Sequence, residues 1–297
     1  MVRPKYLKEG DVVGITCPAR KVEQAEIEQA IQILESWGLK VMLGKTVGKA
    51  FHQFGGTDQE RLEDLQEMLN NPNIQAIIAA RGGYGTVRII DRLNFNTFMN
   101  MPKWIIGFSD ITCLHTVLNS NIGVETIHAA MPVTFEKNTP EALQSLKKAL
   151  FGENLEYKFP SFSLNRSGMM EGEIIGGNLS ILYSLLGTRT IVNTSNAILF
   201  IEDLDEYLYH IDRMMTALKR ANKLANLRGL IVGGMTDIHD NAVPYGKTAE
   251  EIISEHVAEY NYPVCFNFPA GHIADNRAIV FGKKAKLTVG TECVFQQ

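Results

Sequence analysis

Four short stretches of this sequence hold side chains able to do chemistry together. The first is Trp104-Ile105-Ile106-Gly107-Phe108-Ser109-Asp110-Ile111-Thr112, an apolar run ending in a serine where a polar segment of helical pattern begins. A hydroxyl at the carboxyl end of a buried strand stands in the crevice where open α/β sheets bind ligands, so Ser109 can be a nucleophile. Gly107-Phe108-Ser109 is the first half of a Gly-x-Ser-x-Gly elbow, with Ile111 where the second glycine would stand. The plainer reading is a helix N-cap, worth about 1 kcal/mol. Cys113 is a weaker nucleophile candidate, because Leu114 and Val117 do not give the electropositive, accessible setting a reactive thiol needs.

A serine nucleophile needs an oxyanion site, an orienting acid and a base. Arg81-Gly82-Gly83-Tyr84-Gly85-Thr86 follows an apolar run, and its glycines can turn backbone N–H groups toward an anion. It has neither Walker nor dinucleotide-binding spacing, and a tight turn with nothing bound is the alternative. We place the oxyanion donors at Gly83 and at the N–H of Asp110, where the helix begins. Among the carboxylates of Ile198-Leu199-Phe200-Ile201-Glu202-Asp203-Leu204-Asp205-Glu206, Glu202 is the first polar residue after four apolar ones. It is therefore the one best shielded from water, while Asp205 and Glu206 read as a solvated turn.

Seven histidines compete for the base. His52, His115, His128, His210, His239 and His256 suit surface or packing roles, and no metal-ligand spacing surrounds His239. His272 lies in the small-residue loop Pro269-Ala270-Gly271-His272-Ile273-Ala274, between strand-like runs that can hold an imidazole in place.

The elements that must position these groups alternate. Strand patterns at 11–16, 39–43, 74–80 and 104–108 are separated by helical patterns at 24–37 and 57–69, and a helical turn or two at 87–93. The helix at 57 opens on the capping-box spacing Thr57-x-x-Glu60. This predicts an α/β fold with a doubly wound parallel, flavodoxin-like sheet in an amino-terminal domain, residues 1–160. After a less patterned linker, 152–168, strands at 171–175, 197–202 and 227–233, helices at 178–186, 207–221 and 248–260, and a strand-rich tail predict a smaller carboxyl-terminal α/β domain, residues 161–297.

Composition bounds the function. With 45% hydrophobic and 21% charged residues and a net charge of −4, the chain lacks the basic footprint of a nucleic-acid or anionic-membrane binder. No signal-peptide core or membrane-spanning run is visible, and the expected location is cytoplasmic. The four cysteines are widely spaced, which suits reduced thiols better than disulfides or a zinc site.

Taken in order, Arg81-Gly82-Gly83-Tyr84-Gly85, Gly107-Phe108-Ser109-Asp110, Gly176-Gly177-Asn178-Leu179, Glu202, Tyr209-x-Ile211-Asp212-Arg213 and Gly271-His272 closely resemble the LD-carboxypeptidase family of serine peptidases. That family includes murein tetrapeptide carboxypeptidases and microcin C immunity peptidases. The resemblance implies a Ser109-His272-Glu202 triad divided between the two domains, oxyanion donors at Gly83 and Asp110, no metal or organic cofactor, and commonly a homodimer. It also implies a small peptide substrate, a murein tetrapeptide that loses its terminal D-alanine. Arg81 and Arg213 are conceivable partners for the terminal carboxylate or for structural ion pairs. Two segments depart from the family pattern and bear on substrate preference: Ile279-Val280-Phe281-Gly282 in place of Leu-Pro-x-Gly, and Ala129-Ala130-Met131 in place of Gly-Pro-Met. Two alternatives stay open. One is a microcin-immunity-like peptidase cleaving aminoacyl-nucleotide amides, which an added aromatic loop able to stack on a base would favour; none is identifiable between Leu186 and Ala197. The other is a non-catalytic anion- or peptide-binding protein.

Overall fold

The computed structural model describes all 297 residues. Its strands are β1 (Val12–Thr16), β2 (Lys40–Leu43), β3 (Ala76–Ala79), β4 (Trp104–Gly107), β5 (Thr126–His128), β6 (Glu156–Pro160), β7 (Gly168–Asn178), β8 (Ile198–Leu204), β9 (Gly229–Thr236), β10 (Val264–Cys265), β11 (Ile279–Phe281), β12 (Lys284–Val289) and β13 (Glu292–Gln296). They form two sheets, ordered β11-β5-β4-β3-β1-β2 and β10-β9-β8-β7-β12-β13-β6. The architecture is mixed α/β.

In the first sheet β1 to β5 are parallel in the order 2-1-3-4-5, and β11 adds antiparallel to β5. Both faces are covered, so β3 and β4 read as unbroken buried runs, Ala-Ile-Ile-Ala and Trp-Ile-Ile-Gly, rather than alternating ones. The order reverses between β1 and β3, and the loops leaving their carboxyl ends flank the resulting crevice. The helix Asp58–Asn70 begins where the capping box predicts: the Glu60 N–H donates to Thr57 Oγ1 at 3.2 Å, and the Thr57 N–H donates to Glu60 Oε2 at 2.8 Å.

The second sheet is parallel from β7 to β10 and antiparallel from β12 through β6. The chain does not keep to one side of the linker. β6, inside residues 1–160, is the edge strand of the second sheet, whereas β11, near the carboxyl end, closes the first. Three-residue apolar runs such as Ile279–Phe281 carry no pattern naming their sheet, because strand pairing is decided by non-local packing. The strand β5 and the helix Pro140–Phe151 complete the first half. One continuous apolar cluster joins the halves, containing Ile106 and Ile127 from one sheet and Phe200, Phe268 and Leu287 around the other. No helix is long and apolar enough to cross a membrane.

Candidate active site

Ser109 follows β4 and opens a turn of 3-10 helix, Ser109–Ile111, that runs into the helix Thr112–Val117. Its backbone has φ of +61°, uncommon for a residue with a Cβ. The N-cap position belongs to Phe108 and carries no side-chain capping bond, so the hydroxyl is not spent on the helix end. Gly107 allows the sharp turn. Its φ is +155°, and a Cβ there would lie 2.9 Å from Cγ1 of Ile111. The fully buried Ile111 thus packs onto the first glycine of the motif, which explains how the elbow forms without the second.

The glycine loop after β3 lies against the serine. A Cβ on Gly82 would stand 3.0 Å from Ser109 Cβ and 3.3 Å from its Oγ. Gly83 has φ of +102°, and its N–H donates to no backbone carbonyl of the protein. The loop is held from behind by Arg61, whose wholly buried guanidinium donates from Nη1 to the carbonyls of Pro18 and, at 2.9 Å, Gly85. Asp110 ties the two candidate oxyanion segments together, because its Oδ2 accepts the Thr86 N–H at 2.8 Å. Burial pushes that carboxyl above its ordinary pKa, with the hydrogen bonds from Thr86 opposing the shift. The sequence suggests a role for the Asp110 N–H only; its side chain has this second one.

Glu202 lies in β8 and is completely buried. Its Oε2 meets Nδ1 of His272 at 2.6 Å and accepts the His272 backbone N–H at 3.2 Å. Gly271 makes this approach feasible: at φ of +106°, a Cβ there would lie 2.8 Å from Glu202 Cβ. The loop is pinned on both sides of its histidine. The Gly271 N–H donates to buried Asn276 at 2.8 Å, and Thr236 Oγ1 donates to the His272 carbonyl at 2.9 Å. Burial disfavours the imidazolium, yet the charge and hydrogen bond of Glu202 outweigh it and raise the His272 pKa above its ordinary value.

Ser109, Phe108, Gly83 and His272 line one cleft of about 600 Å³. The Phe108 and His272 rings stand 4.7 Å apart, which brings the turn carrying Ser109 to the histidine loop. Of the other histidines, His115 and His128 are buried, the His128 ring standing 5.8 Å from that of Phe108, whereas His210, His239 and His256 pair with Glu206, Asp205 and Asp212. Arg213 lies over the Tyr209 ring at 5.2 Å and does not line this cleft, whereas Arg81 does.

Asp203 carries a part that sequence reasoning missed. It is buried beside Glu202 and accepts Nδ2 of Asn178 at 2.8 Å and the Ser180 N–H at 2.9 Å. Burial, then the charge of Glu202, pushes its pKa up to about 7. The reading stops β8 at Glu202, but the strand continues through Leu204, and Asp203 fastens it to the end of β7.

Residues 13–129 match the LD-carboxypeptidase N-terminal domain and residues 171–287 match the LD-carboxypeptidase C-terminal domain. The chain is 35% identical to a Bacillus subtilis protein described as a "probable murein peptide carboxypeptidase", over 96% of this chain and 91% of the relative. It is 26% identical to the microcin C7 self-immunity protein of Escherichia coli, over 94% of this chain and 90% of that one. The muramoyltetrapeptide carboxypeptidase from Oxalobacter formigenes has a solved structure that superposes with a TM-score of 0.87 at 26% identity, over 96% of this chain and 98% of that one. The chain belongs to the LD-carboxypeptidase family, and it is a serine-type carboxypeptidase.

Proposed function

We propose that the chain removes the terminal D-alanine of murein tetrapeptides during peptidoglycan recycling, through an acyl-enzyme on Ser109 with His272 as base and Glu202 as orienting acid. The observation that carries this reading is the pairing of buried Glu202 with half-buried His272, 2.6 Å between Oε2 and Nδ1, at a cleft shared with a serine held at φ of +61°. The names of the relatives in Bacillus subtilis and Oxalobacter formigenes support the substrate class.

The chemistry follows from the groups. Nδ1–H of His272 donates to Glu202, which leaves Nε2 to take the Ser109 proton as Oγ attacks the scissile carbonyl. The N–H groups of Gly83 and Asp110 receive the developing oxyanion. One such donor is worth roughly 3–4 kcal/mol at the transition state. His272 then returns the proton to the leaving amine and D-alanine departs. Water, deprotonated by the same imidazole, cleaves the ester and restores Ser109.

Mass spectrometry of a tetrapeptide ending in D-alanine tests this. Loss of one D-alanine with the wild type, and none with Ser109→Ala, is the expected result. An intact peptide with folded wild type would sink the murein assignment, and aminoacyl-nucleotide amides would then be the next substrates to try.

A further inference from the structure

We propose that Arg20 is the specificity-determining residue of this site, the group that receives the free carboxylate of the departing amino acid. The inference rests on the proposed reading and deepens it: it says what makes this cleft an exopeptidase.

The reaction sets the distance. In a carboxyl-terminal residue the carboxylate carbon is separated from the scissile carbonyl carbon only by the amide nitrogen and one Cα, a span of about 3–4 Å. A cation serving that carboxylate must therefore stand next to the oxyanion loop and not farther along the cleft. Arg20 occupies that place. It lies in the loop leaving β1, across the sheet's reversal point from the glycine loop leaving β3. Its stem crosses Gly83, where a Cβ would come within 2.6 Å of Arg20 Cδ and 2.9 Å of its Nε. Gly83 in turn adjoins Gly82, which packs on the nucleophile itself.

Charge points the same way. Three cationic side chains line the cleft, Arg20, Arg81 and Lys137, and none forms an ion pair within the protein. The carboxylates at the opposite edge are engaged, Asp205 with His239 at 2.6 Å and Glu206 with His210 at 2.5 Å. Glu26 also lines the cleft, its carboxylate accepting the Glu23 N–H at 2.8 Å, so the three cations stay free of ion pairs and can meet an anionic ligand group. An arginine adds a planar fork able to hold both carboxylate oxygens at once, which a lysine cannot. Of the three, Arg20 is the one whose stem rests on the proposed oxyanion donor.

The test compares kcat/KM for two peptides, a tetrapeptide ending in D-alanine and the same peptide ending in D-alaninamide, with wild type, Arg20→Gln and Arg20→Lys. Wild type should prefer the acid. Arg20→Gln should lower kcat/KM for the acid by about 10- to 100-fold, mostly through KM, as loss of a charge-assisted pair predicts. It should leave the amide within about threefold, and Arg20→Lys should recover part of the loss. Equal losses on both peptides, or none on either, would overturn the assignment. So would a preference that survives Arg20→Gln and disappears in Arg81→Gln or Lys137→Gln. If wild type cleaves neither peptide, the murein reading falls and takes this inference with it. If it cleaves the acid and Arg20 variants discriminate as wild type does, only the role of Arg20 falls.

Discussion

At the scale of single residues, the Glu202–His272 pair sets a pH dependence. Protonated His272 cannot accept the Ser109 proton, so kcat/KM should rise with pH as the imidazole loses its proton. Because Glu202 raises that pKa, the acid limb should lie above the ordinary histidine value of about 6.5. In Glu202→Gln the raising charge is gone and burial of His272 dominates. The limb should then shift to lower pH while kcat falls by on the order of 10³- to 10⁴-fold. A pH–rate profile with an unmoved limb would contradict the pairing. Glu202 stands out in the sequence because four apolar residues precede it. Asp203 does not, since alternation fails in a strand buried on both faces and a second buried carboxylate looks like the start of a turn. The positive φ of Ser109 is equally invisible, because serine has no preference for that conformation and the surrounding packing imposes it.

At the scale of elements, the two halves of the site are locked where β7 ends. Gly176 and Gly177 have φ of +134° and +138°. A Cβ on Gly177 would stand 2.3 Å from Thr112 Oγ1, and that hydroxyl accepts the Asn178 N–H at 3.0 Å. Thr112 is three residues beyond Ser109, and Asn178 holds Asp203 next to Glu202. Gly177→Ala should therefore push the helix that follows Ser109 off the strands that carry Asn178 and Glu202, costing about 1–3 kcal/mol of stability from overpacking alone. Thermal unfolding should show a lowered Tm together with a loss of kcat. An unchanged Tm would mean that the contact is not rigid. The motif Gly176-Gly177-Asn178 is visible in the sequence, but its reason is not, since Thr112 lies 65 residues earlier than Gly177 and only the folded chain brings the two together.

At the scale of the whole molecule, the apolar cluster shared by the sheets fixes how the half carrying Ser109 faces the half carrying Glu202 and His272. The alternation of strands and helices, and with it the α/β class, is readable because buried parallel strands and capped amphipathic helices leave local patterns. The exchange of β6 and β11 between sheets is not, because each is a short strand whose partner is chosen by packing far away in sequence. That exchange passes the chain back across the site: β11 closes the first sheet seven residues after His272. Serine, histidine and glutamate therefore come from opposite sides of one packed molecule, and the central claim is that they act as a unit. The most direct measurement is labelling of the folded protein with a serine-directed phosphonate, followed by peptide mapping of the adduct. The account predicts a single adduct on Ser109, formed by wild type and abolished by His272→Ala. Labelling at another residue, or labelling of Ser109 at an undiminished rate in His272→Ala, would contradict it.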